Sequence, residues 1–203
     1  MSGHAIARSS ARRRPIPPPP TRAPNARMEW RRAGDRVMNR GVMQRAIEGY
    51  HQDEGSEWLA ELSCGHGQHV RHRPPFTLRP WVVTPEGRAG RLGQMLDCPL
   101  CDRREMPSGY VAYRRTPVFT AETIPQGLLS RHSTKAGVWG RLEVLSGTVA
   151  FVLEGAGEAR EVLRAGESVV IVPEVEHRVE LLGPVELRVE FYRANGSSGS
   201  IRG

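Results

Sequence analysis

No apolar run in this sequence approaches the length of a bilayer-spanning helix, so the chain is expected to cross no membrane. Cysteine is scarce and odd in number, with only Cys64, Cys98 and Cys101. Three thiols cannot all pair, which argues against a secreted disulfide framework. No apolar segment follows the N-terminal arginines, so a secretory signal is not expected either. These absences place the chain in a reducing, cytoplasmic compartment, which also suits thiolate ligands. A hydrophobic content of 38% and a negative mean hydropathy fit a soluble protein. At 203 residues there is room for one medium domain or two small ones.

The net charge of +7 is unevenly placed. Residues 1–42 hold ten arginines against Glu29 and Asp35, which is +8, so the remaining 161 residues sum to −1. This tail has little to bury, and its Pro15–Pro20 region can only be extended or polyproline-like. Three readings stay open. The tail is a disordered basic arm for nucleic acid or acidic lipid, a transit peptide, or an extension before a true start at Met38 or Met43. Without it the chain is near neutral, so nucleic acid ranks last among the expected partners.

The most informative residues are Cys64-Gly-His66, His69, His72 and Cys98-Pro-Leu-Cys101. Thiolate and imidazole are the ligands that Zn²⁺ prefers, and four of them in a tetrahedron close a structural site. Gly65 lets the backbone turn tightly between Cys64 and His66. Cys98 and Cys101 have the spacing of a metal knuckle. A redox pair would want a strand-to-helix context, whereas Cys98 follows a glycine-broken stretch. The expected structural zinc ligands are Cys64, His66, Cys98 and Cys101, with His69 and His72 as alternates for the histidine.

Trp58, Ala60, Leu62 and Cys64 alternate on one face of a short predicted strand. A second strand is predicted at Trp81–Val83, closed by a turn at Pro85-Glu86-Gly87. Residues 43–104 thus read as a β domain too small for a sufficient core, which a metal would staple. From Tyr110 to Arg193 the apolar runs are Leu142–Leu145, Val149–Leu153, Val169–Val172, Val179–Leu182 and Val185–Phe191. Gly147, Gly155, Gly157, Gly166 and Gly183-Pro184 punctuate them, the pattern of an all-β sandwich or barrel over 109–193. Residues 194–203 read as a flexible end.

Within that second half, a glycine turn, a buried strand, Pro173 and then His177 resemble the second sequence motif of the cupins. The resemblance implies that His177 points into a barrel and binds metal. Its parity with Val179 and Leu181 agrees with an inward position. The upstream partner is His132. Cupins carry a His-x-His pair and a glutamate seven residues before the glycine that corresponds to Gly147. Here that position is Gly140, so the usual ligand set does not carry over. His132 and His177 with an acid, Glu143 or Glu190, are the candidate contacts of a second divalent metal or of a ligand. The alternative makes His177 a core histidine bonded to backbone and His132 a loop residue.

Residues 43–104, through CGHGQHVRHRPP, RPWVVTPEGRAGRLG and CPLC, resemble a short bacterial zinc-ribbon-like family of unknown function. Residues 109–193 resemble the small cupin-like family found alone as YeaR and ahead of the methyltransferase in some tellurite-resistance TehB proteins. The matching residues are Arg131-His132, Gly137 through Gly147, Pro173, His177 and the closing Val-Glu-Phe-Tyr. No glycine-rich nucleotide loop follows here. The fold implied is all-β: a small zinc-stapled domain, then a cupin-like double-stranded β-helix, or jelly-roll barrel. The function implied is a binder or sensor of a small molecule or oxyanion, linked to tellurite or nitrosative stress. A small cupin enzyme (a dioxygenase or isomerase) and a zinc-ribbon interaction module are the alternatives. A homodimer is left open.

Overall fold

The computed structural model describes residues 42–73, 75, 78–154 and 159–196. The expectations placed on the Arg/Pro-rich tail and on the end beyond Gly196 lie outside these residues.

Strands β1 (Gln44–Gln52), β2 (Trp58–Leu62), β3 (Gly67–His69) and β4 (Met95–Asp97) form an antiparallel sheet in the order β3-β2-β1-β4. β2 buries Ala60 and Leu62, and the same parity carries a buried Cys64 into the turn toward β3. That turn closes with Gly65 N–H on the Leu62 carbonyl at 2.7 Å and Leu62 N–H on the His66 carbonyl at 2.9 Å. Gly65 has φ +87°, and a Cβ there would overlap the Tyr110 hydroxyl, so both backbone and space require glycine.

The predicted strand at Trp81–Val83 is instead a single 3₁₀ turn, Pro80–Val83, followed by helix α1 (Pro85–Ala89). Each begins with a proline, whose fixed φ and missing N–H suit the first turn of a helix. Thr84 caps α1 through Oγ1, which accepts Gly87 N–H at 3.1 Å. One-turn helix α2 (Pro99–Asp102) follows β4 directly, with Cys98 at its N-cap and Cys101 inside it. The pair therefore does stand at a strand-to-helix junction, contrary to the expectation from the glycine-broken stretch before it.

The second sheet contains β5 (Tyr110–Arg115), β6 (Phe119–Thr120), β7 (Trp139–Leu153), β8 (Ala159–Arg164), β9 (Ser168–Ile171) and β10 (His177–Ala194). A short helix, α3 (Gln126–Leu129), lies between β6 and β7. The order is β5-β10-β7-β8, with β6 also on β10 and β9 also on β7. β7 and β10 pair along most of their length, from His177 opposite Leu153 to Tyr192 opposite Trp139. Gly147 and Gly183-Pro184, which read as turns in the sequence, are bends inside these two strands. The register shifts between Leu181 and Val185, and Gly147 at φ +78° meets the Pro184 carbonyl too closely for any Cβ.

The bend divides the sheet into two arms. β8 pairs with Thr148–Leu153 and β9 with Gly140–Glu143. One core, including Leu142, Val144, Val149, Phe151, Leu163, Val169, Val179, Leu187 and Val189, joins both arms. Full burial of each such side chain is worth roughly 1.5–3 kcal/mol. A second core holds Ile47, Ala60, Leu62, Val70, Val82 and the three cysteines, together with Trp139 at the start of β7 and Val172 just after β9.

Candidate metal centre and histidine pair

Two turns converge in the second core. The β2–β3 turn brings Cys64 and His66, and the start of α2 brings Cys98 and Cys101. All four are at most 5% exposed. Their ligand atoms lie within 4.8 Å of one another. His66 Nδ1 is 3.3 Å from Cys64 Sγ, 3.4 Å from Cys98 Sγ and 3.7 Å from Cys101 Sγ, and the Cys64 and Cys98 sulfurs are 3.9 Å apart. A tetrahedron built on Zn–S and Zn–N bonds of about 2.3 and 2.0 Å has edges of roughly 3.5–3.8 Å. The cluster could therefore hold a metal such as zinc.

The protonation of the cluster also favours a cation. Burial works against an imidazolium at His66, but hydrogen bonds to the Cys64 and Cys98 sulfurs outweigh it and raise its pKa to about 9. Hydrogen bonds from Cys101 and Cys64 lower the Cys98 thiol, while Cys64 and Cys98 push Cys101 upward. Three thiols packed together in a buried site cannot all ionise unless a cation sits among them. Three thiolates, a neutral imidazole and a dication would sum to −1. Arg45, only 7% exposed, stands beside Cys101 and acts to lower that thiol. Among the described residues its other contacts are the Gln44 carbonyl at 3.2 Å and Met43 Sδ at 3.8 Å, and its Nε has no partner. Among the same residues this buried guanidinium has no carboxylate partner, and it supplies a counter-charge beside such a centre. Nothing in the sequence pattern singles Arg45 out.

The alternate histidines lie elsewhere. His69 Nε2 is 2.9 Å from Asp53 Oδ2 and 3.8 Å from Glu57 Oε2 on an exposed edge, where Arg71 and Arg73 already neutralise Glu57. His72 Nδ1 accepts the Arg79 N–H at 2.9 Å.

His132 and His177 are neighbours. Their backbones form an antiparallel bridge, with His177 N–H on the His132 carbonyl at 2.8 Å and the reverse bond at 3.0 Å. The ring centroids are 4.3 Å apart. Each Nδ1 is 2.8 Å from a carbonyl two residues earlier, Ser130 for His132 and Val175 for His177. Since a carbonyl only accepts, both Nδ1 atoms carry hydrogen, and a neutral ring then keeps its free lone pair on Nε2. His177 is 1% exposed and His132 half-buried, and burial, reinforced by His132, lowers the His177 pKa to about 4 despite the bond to Val175. The acids proposed to join them do not. Glu143 pairs with Arg188 at 2.8 Å. Glu190 pairs with Arg115 at 2.6 Å and accepts the Tyr192 hydroxyl at 2.5 Å. Both alternate with buried Leu142, Val144 and Val189, on the face away from the core.

Comparison with known proteins divides the chain at the same place. A family model described as a protein of unknown function, DUF3565, matches residues 48–105, and a TehB-like domain model matches residues 114–189. The probable S-adenosyl-L-methionine-dependent methyltransferase TehB of Haemophilus influenzae strain 10810 is 34% identical over 92 residues, 43% of this chain and 32% of that protein. The chain thus spans about a third of that relative's length. The uncharacterised protein YeaR of Escherichia coli K12 is 33% identical over 86 residues, 38% of this chain and 72% of YeaR. The crystal structure of Haemophilus influenzae TehB superposes with a TM-score of 0.42 at 29% identity, covering 44% of this chain and 33% of that one. An RmlC-like cupin from Shewanella frigidimarina reaches 0.28 at 22% identity, covering 34% and 57%. Among the described residues no helix is long and apolar enough to cross a membrane.

Proposed function

We propose, on the premise that through residues 114–189 the chain belongs to the TehB-like family, that it is a zinc-stapled binder or sensor of a small molecule or oxyanion. The bent second sheet is read as a cupin-like double-stranded β-helix, and His132 with His177 as its ligand contacts. The observation that carries this reading is the histidine pair itself. Two adjacent imidazoles have their Nδ1 atoms anchored to backbone carbonyls, an arrangement that orients ligating histidines. A neutral His177 repels no cation and offers no charge to an anion, so an oxyanion would reach the pair through a divalent ion. Cys64, His66, Cys98 and Cys101 hold a separate structural zinc whose four protein ligands leave no open position. The methyltransferase chemistry in the TehB name belongs to that longer protein, and nothing in this reading depends on it. The link to tellurite or nitrosative stress rests on the family alone.

Elemental analysis and Ni²⁺ titration of tagless full-length protein separate the two sites. Wild type should retain about one zinc per chain and bind further Ni²⁺, with tellurite binding only to the Ni²⁺-loaded form. Cys98→Ser should lose the zinc. The double variant His132→Ala/His177→Ala should keep the zinc and lose the Ni²⁺. A double variant that takes up Ni²⁺ and tellurite as wild type does would end the reading.

A further inference from the structure

The turn that carries Cys64 and His66 is fastened to both segments that carry the histidine pair. Ser63 is 6% exposed. Its carbonyl accepts Gly137 N–H at 2.8 Å, and its hydroxyl donates to Glu174 Oε2 at 2.9 Å. The next carbonyl, that of Cys64, accepts the Trp139 indole N–H at 2.7 Å. Glu174 sits at φ +60°, in the left-handed region that disfavours a residue with a Cβ. Its N–H bonds the Thr134 carbonyl at 3.0 Å. Thr134 stands two residues after His132, and Glu174 three before His177. Val175, whose carbonyl anchors His177 Nδ1, packs against both cores.

We propose that Ser63 and Glu174 are positioning residues that couple occupancy of the cysteine centre to the geometry of the His132–His177 pair. The inference rests on reading that pair as the binding site. A bound metal would fix the Cys64–His66 turn against α2. Without metal the three sulfurs share only the His66 imidazole, at 3.3–3.7 Å, in place of four coordinate bonds, and the turn is freed to relax. Movement at Ser63 pulls on the Glu174 carboxylate, and the peptide it holds in the left-handed conformation leads directly into the bridge. Ser63 thus has one side chain toward the histidine segment and the neighbouring residue in the metal centre. A continuous chain of hydrogen bonds and packed residues of this kind is a physical route for coupling between sites.

Amide hydrogen exchange on the full chain tests the coupling. The samples are zinc-loaded and chelator-treated wild type, and zinc-loaded Ser63→Ala, Ser63→Thr and Glu174→Gly. Exchange at the His132 and His177 amides should accelerate roughly tenfold in Ser63→Ala and Glu174→Gly, the factor for one lost hydrogen bond. Ser63→Thr keeps the hydroxyl and should restore the wild-type rate. Chelation should accelerate the same amides at least as much, and the β7–β8 ladder from Val149 to Leu153 should stay protected in all zinc-loaded variants. If chelation unfolds the chain, the zinc-loaded variants decide. Wild-type exchange at both histidine amides in Ser63→Ala overturns the proposal. Ni²⁺ uptake by the double histidine variant tests the binding site separately, and its persistence would remove that reading without altering the exchange result.

Discussion

His177 shows how one buried side chain couples a site to stability. Its ring packs 5.2 Å from Phe151, and burial holds its pKa near 4 instead of 6.5. A depressed folded-state value means that the unfolded chain takes up the proton first. The stabilisation is complete above about pH 6.5 and is lost as pH falls toward 4, a span of about 3 kcal/mol. In metal-free protein, urea unfolding across this range should show a slope that His177→Leu flattens, and equal slopes in both proteins would contradict the assignment. At this scale the sequence was informative where chemistry is tied to residue type. Cysteine and histidine at close spacing announce a cluster that could hold a metal, and Gly65 announces the turn. Arg45, Ser63 and Glu174 gave no such signal. Their roles come from burial and from partners as far as 111 positions away in the chain, as for Ser63 and Glu174.

At the level of elements, Gly147 decides whether β7 ends or bends. Periodicity alone cannot distinguish the two, because a glycine between apolar runs suits a turn as well as a bulge. The long β7–β10 pairing resolves it, since the strands continue through the glycine with their register shifted. Gly166 provides the comparison, with φ +84° but open space around its Cα, whereas a Cβ on Gly147 would strike the Pro184 carbonyl. Gly166→Ala should cost about 1–2 kcal/mol, the left-handed penalty alone. Gly147→Ala adds overpacking of roughly 1–3 kcal/mol. Denaturant midpoints of the two variants measure the difference, and equal losses would mean that the close approach at the bend is easily relaxed. β5 escaped the sequence reading for a related reason. It lies at the sheet edge with five of its six residues exposed, so it carries no apolar alternation to detect.

For the whole molecule, the relation between the two halves was the part least legible in the sequence. Alternation shows which face of a strand is apolar and says nothing about what covers it. Trp139 opens β7, yet it is fully buried in the core around the cysteines, with its ring 5.4 Å from that of His66. The rest of β7 runs into the other core through Leu142, Val144, Val149 and Phe151. The described residues accordingly belong to one compact unit. A shared strand and a buried indole between the cores should make the two sheets unfold together. Near-ultraviolet circular dichroism, dominated by the tryptophans on the cysteine side, and far-ultraviolet circular dichroism, sensitive to every strand, should melt at one midpoint. Zinc removal by chelation or Cys98→Ser should lower that single midpoint by roughly 10 °C or more, because binding energy at a structural site is folding energy. Two separated transitions, with only the first sensitive to chelator, would show instead that the second sheet stands without the metal centre, and that the contacts through Trp139 and Ser63 contribute little to its stability.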